Sequence, residues 1–135
     1  MTLNKPVILC VDDKPENLKL LENILIPRGY EVVSAASGEE ALLKIKTLTI
    51  DLVLLDLMMP EMDGLQVSRK IKGNKKHRNI PIVMLTAYTG VETYIKTLSD
   101  EVFAYLQKPF ETEELIGIVR AALGRSEAGH ALPVS

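Results

Sequence analysis

Short apolar runs alternate along this chain with longer stretches in which apolar residues recur near every third or fourth position, and few folds accept that pattern. The runs are Val7–Val11, Glu31–Ala35, Leu52–Leu55, Ile82–Leu85 and Phe103–Leu106. Each is too short for an independent helix, and their aliphatic content reads as buried strand. Between the runs, Leu18, Leu21, Ile24 and Leu25 mark one amphipathic helix, and Ala41, Leu42 and Ile45 a second. A short third helix is expected over Leu65–Ile71, before Gly73-Asn74, and a fourth over Val91–Leu98, where polar residues interrupt the pattern. A fifth is expected over Glu113–Leu123, with Thr112 as N-cap and Gly124 as the stop. Strand followed by helix, repeated along the chain, predicts an α/β domain with a central parallel sheet. Right-handed crossovers and the commonest doubly wound arrangement predict the five-stranded order 2-1-3-4-5.

Length and charge narrow the classes. The 135 residues, 47% of them hydrophobic, suffice for one core and are short for two, so residues 1–125 are expected to form one domain and 126–135 a flexible tail. With 16 Lys and Arg against 18 Asp and Glu, the net charge of −2 gives no general attraction to nucleic acid. The basic run Lys75-Lys76-His77-Arg78 reads as a solvated loop, and no direct nucleic-acid partner is expected. Cys10, the single cysteine, lies inside an apolar run and reads as a small core hydrophobe. The segment from Met1 to Pro6 has no signal-peptide core and no apolar stretch approaches the ~20 residues of a membrane span, so a cytoplasmic location without membrane attachment is expected.

The chemistry sits where the apolar runs end. Asp12-Asp13 closes the first run and Asp56 the third, and Pro60 and Gly64 punctuate the loop that follows. In the order 2-1-3-4-5, strands 1 and 3 are neighbours and the switch point lies between them, so the three carboxylates meet in the crevice beyond the carboxyl ends of the strands. Packed together they repel, which raises at least one pKa unless a cation neutralises them. Mg²⁺ suits such a site, because it takes oxygen ligands and is usually held by one or two carboxylates plus a phosphate. Asp12, Asp13 and Asp56 are then ligands, or one of them is a nucleophile. The acidic pair also suits a second role, capping the helix that begins near Pro15. Strand 4 ends in Thr86 and strand 5 runs into Lys108-Pro109, adding a hydroxyl and an ammonium at the same sheet edge. Both can contact a phosphoryl group, the ammonium by neutralising charge and the hydroxyl by donating to an oxygen. Taken singly, Thr86 also reads as a helix cap and Lys108 as a surface charge.

Together these residues resemble the receiver domains of two-component response regulators, whose fold is flavodoxin-like. The resemblance runs from about Pro6 to Leu123 and rests on Asp12-Asp13, Asp56, the loop Met59-Pro60-Glu61-Met62-Asp63-Gly64, Thr86-Ala87, and Tyr105 ahead of Lys108-Pro109-Phe110. It implies that Asp56 is the phosphoacceptor, that Asp12 and Asp13 serve Mg²⁺ with the Met58 carbonyl as a backbone ligand, and that Lys108 contacts the phosphoryl group. Thr86 and Tyr105 would be the switch pair, and the Lys108-Pro109 bond would be cis. The implied donor is a sensor histidine kinase, a phosphotransfer protein or a small acyl phosphate; the implied recipient is a downstream effector, and a homodimer formed on phosphorylation is a further partner state. In place of the Gly and acidic residues that many members carry before the strand-5 Tyr, this chain reads Glu101-Val-Phe-Ala-Tyr105. That departure weighs against the charged dimer face of the winged-helix transcription-factor subgroup and gives Phe103 and Ala104 an apolar packing role.

The rival from another class is an aspartyl-phosphate phosphohydrolase of the haloacid-dehalogenase kind. Such enzymes typically carry a general-acid Asp two residues after the nucleophile, where this chain has Met58. An FMN carrier or a dinucleotide site would need a hydroxyl-rich or glycine-rich phosphate cradle after strand 1, where this chain is acidic. A pseudo-receiver that only binds partners is the remaining alternative, although every landmark is kept. The expected function is therefore a phosphorylation-controlled switch rather than an enzyme of metabolism. Met58 and Tyr88, bulky at the two positions flanking the path of attacking water, predict slow loss of the phosphoryl group.

Overall fold

The computed structural model describes residues 5–87 and 102–126. Its strands are β1 (Val7–Val11), β2 (Glu31–Ala35), β3 (Leu52–Asp56), β4 (Ile82–Thr86) and β5 (Ala104–Gln107). Its helices are α1 (Pro15–Leu25), α2 (Gly38–Thr47), α3 (Gly64–Lys72) and α4 (Thr112–Ser126), with a 3₁₀ turn over Ile26–Arg28 after α1. The strands form one parallel sheet in the order β2-β1-β3-β4-β5, as expected from the alternation. The helix expected at Val91–Leu98, Tyr88, and the tail after Ser126 lie outside the described residues.

Alternation along the strands builds two cores, one on each face of the sheet. Leu9, Val11, Val53, Leu55 and Met84 pack with Ala41 and Ile45 of α2 and with Leu65, Val67 and Ile71 of α3. On the other face, Ile8, Cys10, Leu54, Val83 and Leu85 pack with Leu21 and Leu25 of α1 and with Leu115, Ile116 and Val119 of α4. Cys10 is buried, and burial pushes its thiol pKa far up, which leaves an inert core side chain. Phe103 packs against this second core, as its apolar surroundings suggest.

Local chemistry fixes where the helices begin. The Ser37 hydroxyl accepts from the Glu40 amide at 3.1 Å, while the Glu40 carboxylate accepts from the Ala36 amide at 2.8 Å. Asp63 and Gln66 form a reciprocal capping box at α3, both hydrogen bonds 2.9 Å long. The last helix departs from expectation at both ends. Thr112 is its first residue and not its N-cap, because the Glu114 carboxylate reaches back to the Glu111 amide at 2.9 Å and fixes the start one residue earlier. Nor does Gly124 stop it. The helix continues to Ser126, since Ala122 and Leu123 are buried in that turn and glycine tolerates right-handed helix at a modest entropic cost. Strand 5 is shifted by one residue from the expected Phe103–Leu106, and β3 and β4 each extend by one residue to include Asp56 and Thr86.

Candidate functional site

Backbone pairing delivers the polar side chains to one edge. Cys10 lies opposite Leu54 and Val11 opposite Leu55, so the next residue of strand 1, Asp12, emerges beside Asp56. The hydrogen-bond ladder continues past the strand ends: the Asp12 amide donates to the Ala35 carbonyl at 3.1 Å and the Leu57 amide to Leu85 at 2.9 Å. The Lys108 amide donates to the Thr86 carbonyl at 2.7 Å. The ammonium of Lys108 therefore starts from a fixed point.

It bridges two acids. Lys108 Nζ donates to Asp12 Oδ2 at 3.1 Å and to Asp56 Oδ1 at 3.2 Å. Asp12 and Asp56 are 1% and 6% exposed, so both carboxylates are effectively out of solvent. Asp12 Oδ1 also accepts from the Lys14 amide at 2.9 Å, and its Oδ2 from Asn17 Nδ2 at 3.1 Å. Burial holds the Asp56 carboxyl above its ordinary pKa; Lys108 opposes the rise, and Asp12 and Asp13 add to it. Repulsion among the acids was the cause expected from sequence. It contributes here, but desolvation is the larger effect.

The loop after Asp56 is held by a close approach. A Cβ on Gly64 would lie 2.6 Å from the Asp56 carbonyl oxygen, 2.8 Å from Met84 Sδ and 2.9 Å from Leu57 Cα, so only glycine fits without displacement. The Gly64 amide also donates to the Leu57 carbonyl at 2.9 Å. Between them Glu61 adopts φ 68°, a left-handed conformation uncommon for a residue other than glycine. Capping box, glycine contact and turn together set the path of the chain beside the Asp56 carboxylate.

One oxygen of each of Asp12, Asp13 and Asp56 lies within 4.8 Å of the others. Asp13 Oδ1 is buried and has no hydrogen-bond partner. A buried carboxylate oxygen without a donor is costly, and a cation among three hard oxygen donors removes that cost. The residues thus fit a hard divalent ion such as Mg²⁺.

Thr86 is fully buried at the end of β4. Tyr105 pairs with Met84 in the register, so Thr86, two residues on from Met84, leaves the sheet on the same face as Tyr105. Tyr105 is half-buried and packs on the core beneath α2 and α3. The Met58 side chain is exposed, and the Lys108-Pro109 bond is cis. Sequence reasoning did not single out Asn17 or the contact made by Gly64. A cleft of about 290 Å³ opens beside the acids, reaching Asp12 and Lys108 and walled by Leu20, Leu21, Leu85 and Phe110. No helix among the described residues is long and apolar enough to cross a membrane.

The family model described as "Response regulator receiver domain" matches residues 8–120. The chain is 42% identical over 127 residues to the probable transcriptional regulator ycf27 of Cyanophora paradoxa, covering 94% of this chain and 52% of that protein. A CheY-like response regulator receiver domain protein from Methanospirillum hungatei is similar in structure, with a TM-score of 0.85 and 30% identity over 93% of this chain and 99% of that one. The response regulator TrrA of Thermotoga maritima, solved in complex with Mg²⁺ and BeF, gives a TM-score of 0.79 and 37% identity over 87% of this chain and 99% of that one. The chain spans about half the length of the transcriptional regulators it matches.

Proposed function

Because the chain belongs to the response regulator receiver domain family, we propose that its acidic crevice accepts one phosphoryl group on Asp56 and thereby switches a signalling state. The observation that carries this reading is the Lys108 ammonium bridging Asp12 and Asp56 at one sheet edge. An oxygen of Asp56 attacks phosphorus in line, forming the acyl phosphate P–O bond as the donor's P–N or P–O bond breaks, and the leaving imidazole or carboxylate keeps the electron pair. Lys108 moves from its carboxylate partners to a phosphoryl oxygen, and the Thr86 hydroxyl donates to another. Asp12, Asp13, Asp56 and the Met58 carbonyl would hold Mg²⁺, which when bound supplies charge stabilisation at the phosphoryl oxygens. Support for that cation comes from the unpaired Asp13 oxygen and from the Mg²⁺ in the TrrA complex.

Residues 1–125 are the proposed receiver unit. Its donor is a sensor histidine kinase, a phosphotransfer protein or a small acyl phosphate, and its recipient a downstream effector, reached through the Thr86 and Tyr105 pair or through a homodimer formed on phosphorylation. The domain is a switch and not a turnover enzyme, and Met58 offers no acid or base two residues after the acceptor. A cytoplasmic location suits a kinase-coupled switch. The test is incubation with an acyl phosphate and Mg²⁺ followed by intact-mass measurement. One added phosphoryl group is expected, lost on chelation and absent from Asp56→Asn; equal labelling of that variant would reject Asp56 as the acceptor.

A further inference from the structure

Asp12 is nearly inaccessible to solvent, and each of its carboxylate oxygens has a donor. Oδ1 takes the Lys14 amide at 2.9 Å; Oδ2 takes two side chains, Lys108 Nζ and Asn17 Nδ2, each at 3.1 Å. Those two donors differ in kind. Lys108 is shared with Asp56, and in the function proposed above its charge turns to the incoming phosphoryl group. Asn17 is neutral and stands in the first turn of α1, where its own amide donates to the Lys14 carbonyl at 3.0 Å. The residue that supplies the backbone donor to Oδ1 therefore also anchors the residue that supplies the amide donor to Oδ2.

The consequence concerns what Asp12 does when Lys108 leaves. A single backbone hydrogen bond on Oδ1 leaves the carboxylate free to turn about its last side-chain torsion. A second donor on the other oxygen fixes its plane. A cation in that place would compete with a bound metal, and a carboxylate would repel Asp12. A neutral amide does neither. Resting on the function proposed above, we propose that Asn17 is a positioning residue for the metal ligand Asp12: it holds the Asp12 carboxylate in place as Lys108 turns to the phosphoryl group, and so sets the affinity of the site for Mg²⁺.

The experiment is a titration of the full chain with Mg²⁺ alone, followed by amide chemical shifts, in wild type, Asn17→Ala, Asn17→Leu and Asn17→Gln. Partners that orient a metal ligand typically govern affinity by 10–100-fold. The Ala and Leu variants should bind Mg²⁺ about tenfold more weakly, and Gln, which keeps the amide donor, should recover most of the loss. Labelling by an acyl phosphate should slow in the Ala variant at low Mg²⁺ and return to the wild-type rate at saturating Mg²⁺. A purely structural role would lower thermal stability without moving the Mg²⁺ affinity. Wild-type binding with the Ala and Leu variants within twofold of it, or a labelling defect that saturating Mg²⁺ leaves in place, overturns the inference alone. Wild-type protein that shows no Mg²⁺ response overturns it together with the function it rests on.

Discussion

Strand β3 contains two regions that share burial and differ in what burial does. Leu52, Val53, Leu54 and Leu55 are fully buried, and Asp56, the next residue, is 6% exposed. Removing the aliphatic side chains from water stabilises the fold by about 1.5–3 kcal/mol each. Removing the carboxylate from water raises its pKa, so the ionised form works against the fold. The apolar strand interior is thus a foundation, and its carboxyl edge carries a load that Lys108 offsets only in part. At β1 the same change of character occurs over one residue: Cys10 and Val11 are core, and Asp12 is a buried acid whose carboxylate is fully hydrogen-bonded.

The largest effect is expected in the interior. Leu55→Ala removes a fully buried side chain from the layer beneath α2 and α3 and should destabilise the protein by about 2–5 kcal/mol in urea unfolding. If the sheet is only a platform, Mg²⁺ affinity of the fraction still folded should remain near wild type. A loss of affinity larger than the loss of stability explains would show that core and edge are not separable. Gly64→Ala tests the seam between them. The added methyl meets backbone on two sides, at the Asp56 oxygen and Leu57 Cα, and should cost about 1–3 kcal/mol. It should also displace the loop beside Asp56, seen as reduced labelling by an acyl phosphate at every Mg²⁺ concentration. Labelling at the wild-type rate would mean that the loop accommodates the methyl without moving Asp56.

How much of this was legible in the sequence follows the same division. The strands, their order and the two-sided core depend on hydrophobic period and chain connectivity, which a sequence displays directly. That is why Val7–Val11 and Glu31–Ala35 coincide with the observed strands residue for residue. Convergence of Asp12, Asp13 and Asp56 followed from the strand order alone. The contact made by Gly64 did not, because a glycine in a loop gives a turn signal whether or not backbone crowds the place a Cβ would occupy. Asn17 was hidden for a related reason: an amide in the first turn of a helix looks like surface, and only the structure shows the carboxylate beside it. The start of α4 differs from expectation because side-chain chemistry, the Glu114 carboxylate on the Glu111 amide, overrides the more familiar Thr112 cap. Mutual repulsion implied a raised pKa on at least one of the three acids, but that Asp56 carries it, with burial as the larger cause, is invisible in a sequence, which shows charges and not depth.

Burial of the Asp56 carboxylate should oppose folding until a cation neutralises it, and urea unfolding of wild type and Asp56→Asn with and without Mg²⁺ measures that opposition. Since the folded-state pKa of Asp56 is raised, its contribution to stability is fully present below the unfolded value and is lost as pH rises through the folded one. At neutral pH without Mg²⁺ the Asn variant should therefore unfold at a higher urea midpoint than wild type. The difference should shrink as pH falls through the carboxylate range. Mg²⁺ should then stabilise wild type more than the variant and close the gap, because it binds the native state through the charge the variant lacks. A variant less stable than wild type without Mg²⁺, or equal stabilisation of both by the metal, would contradict the account.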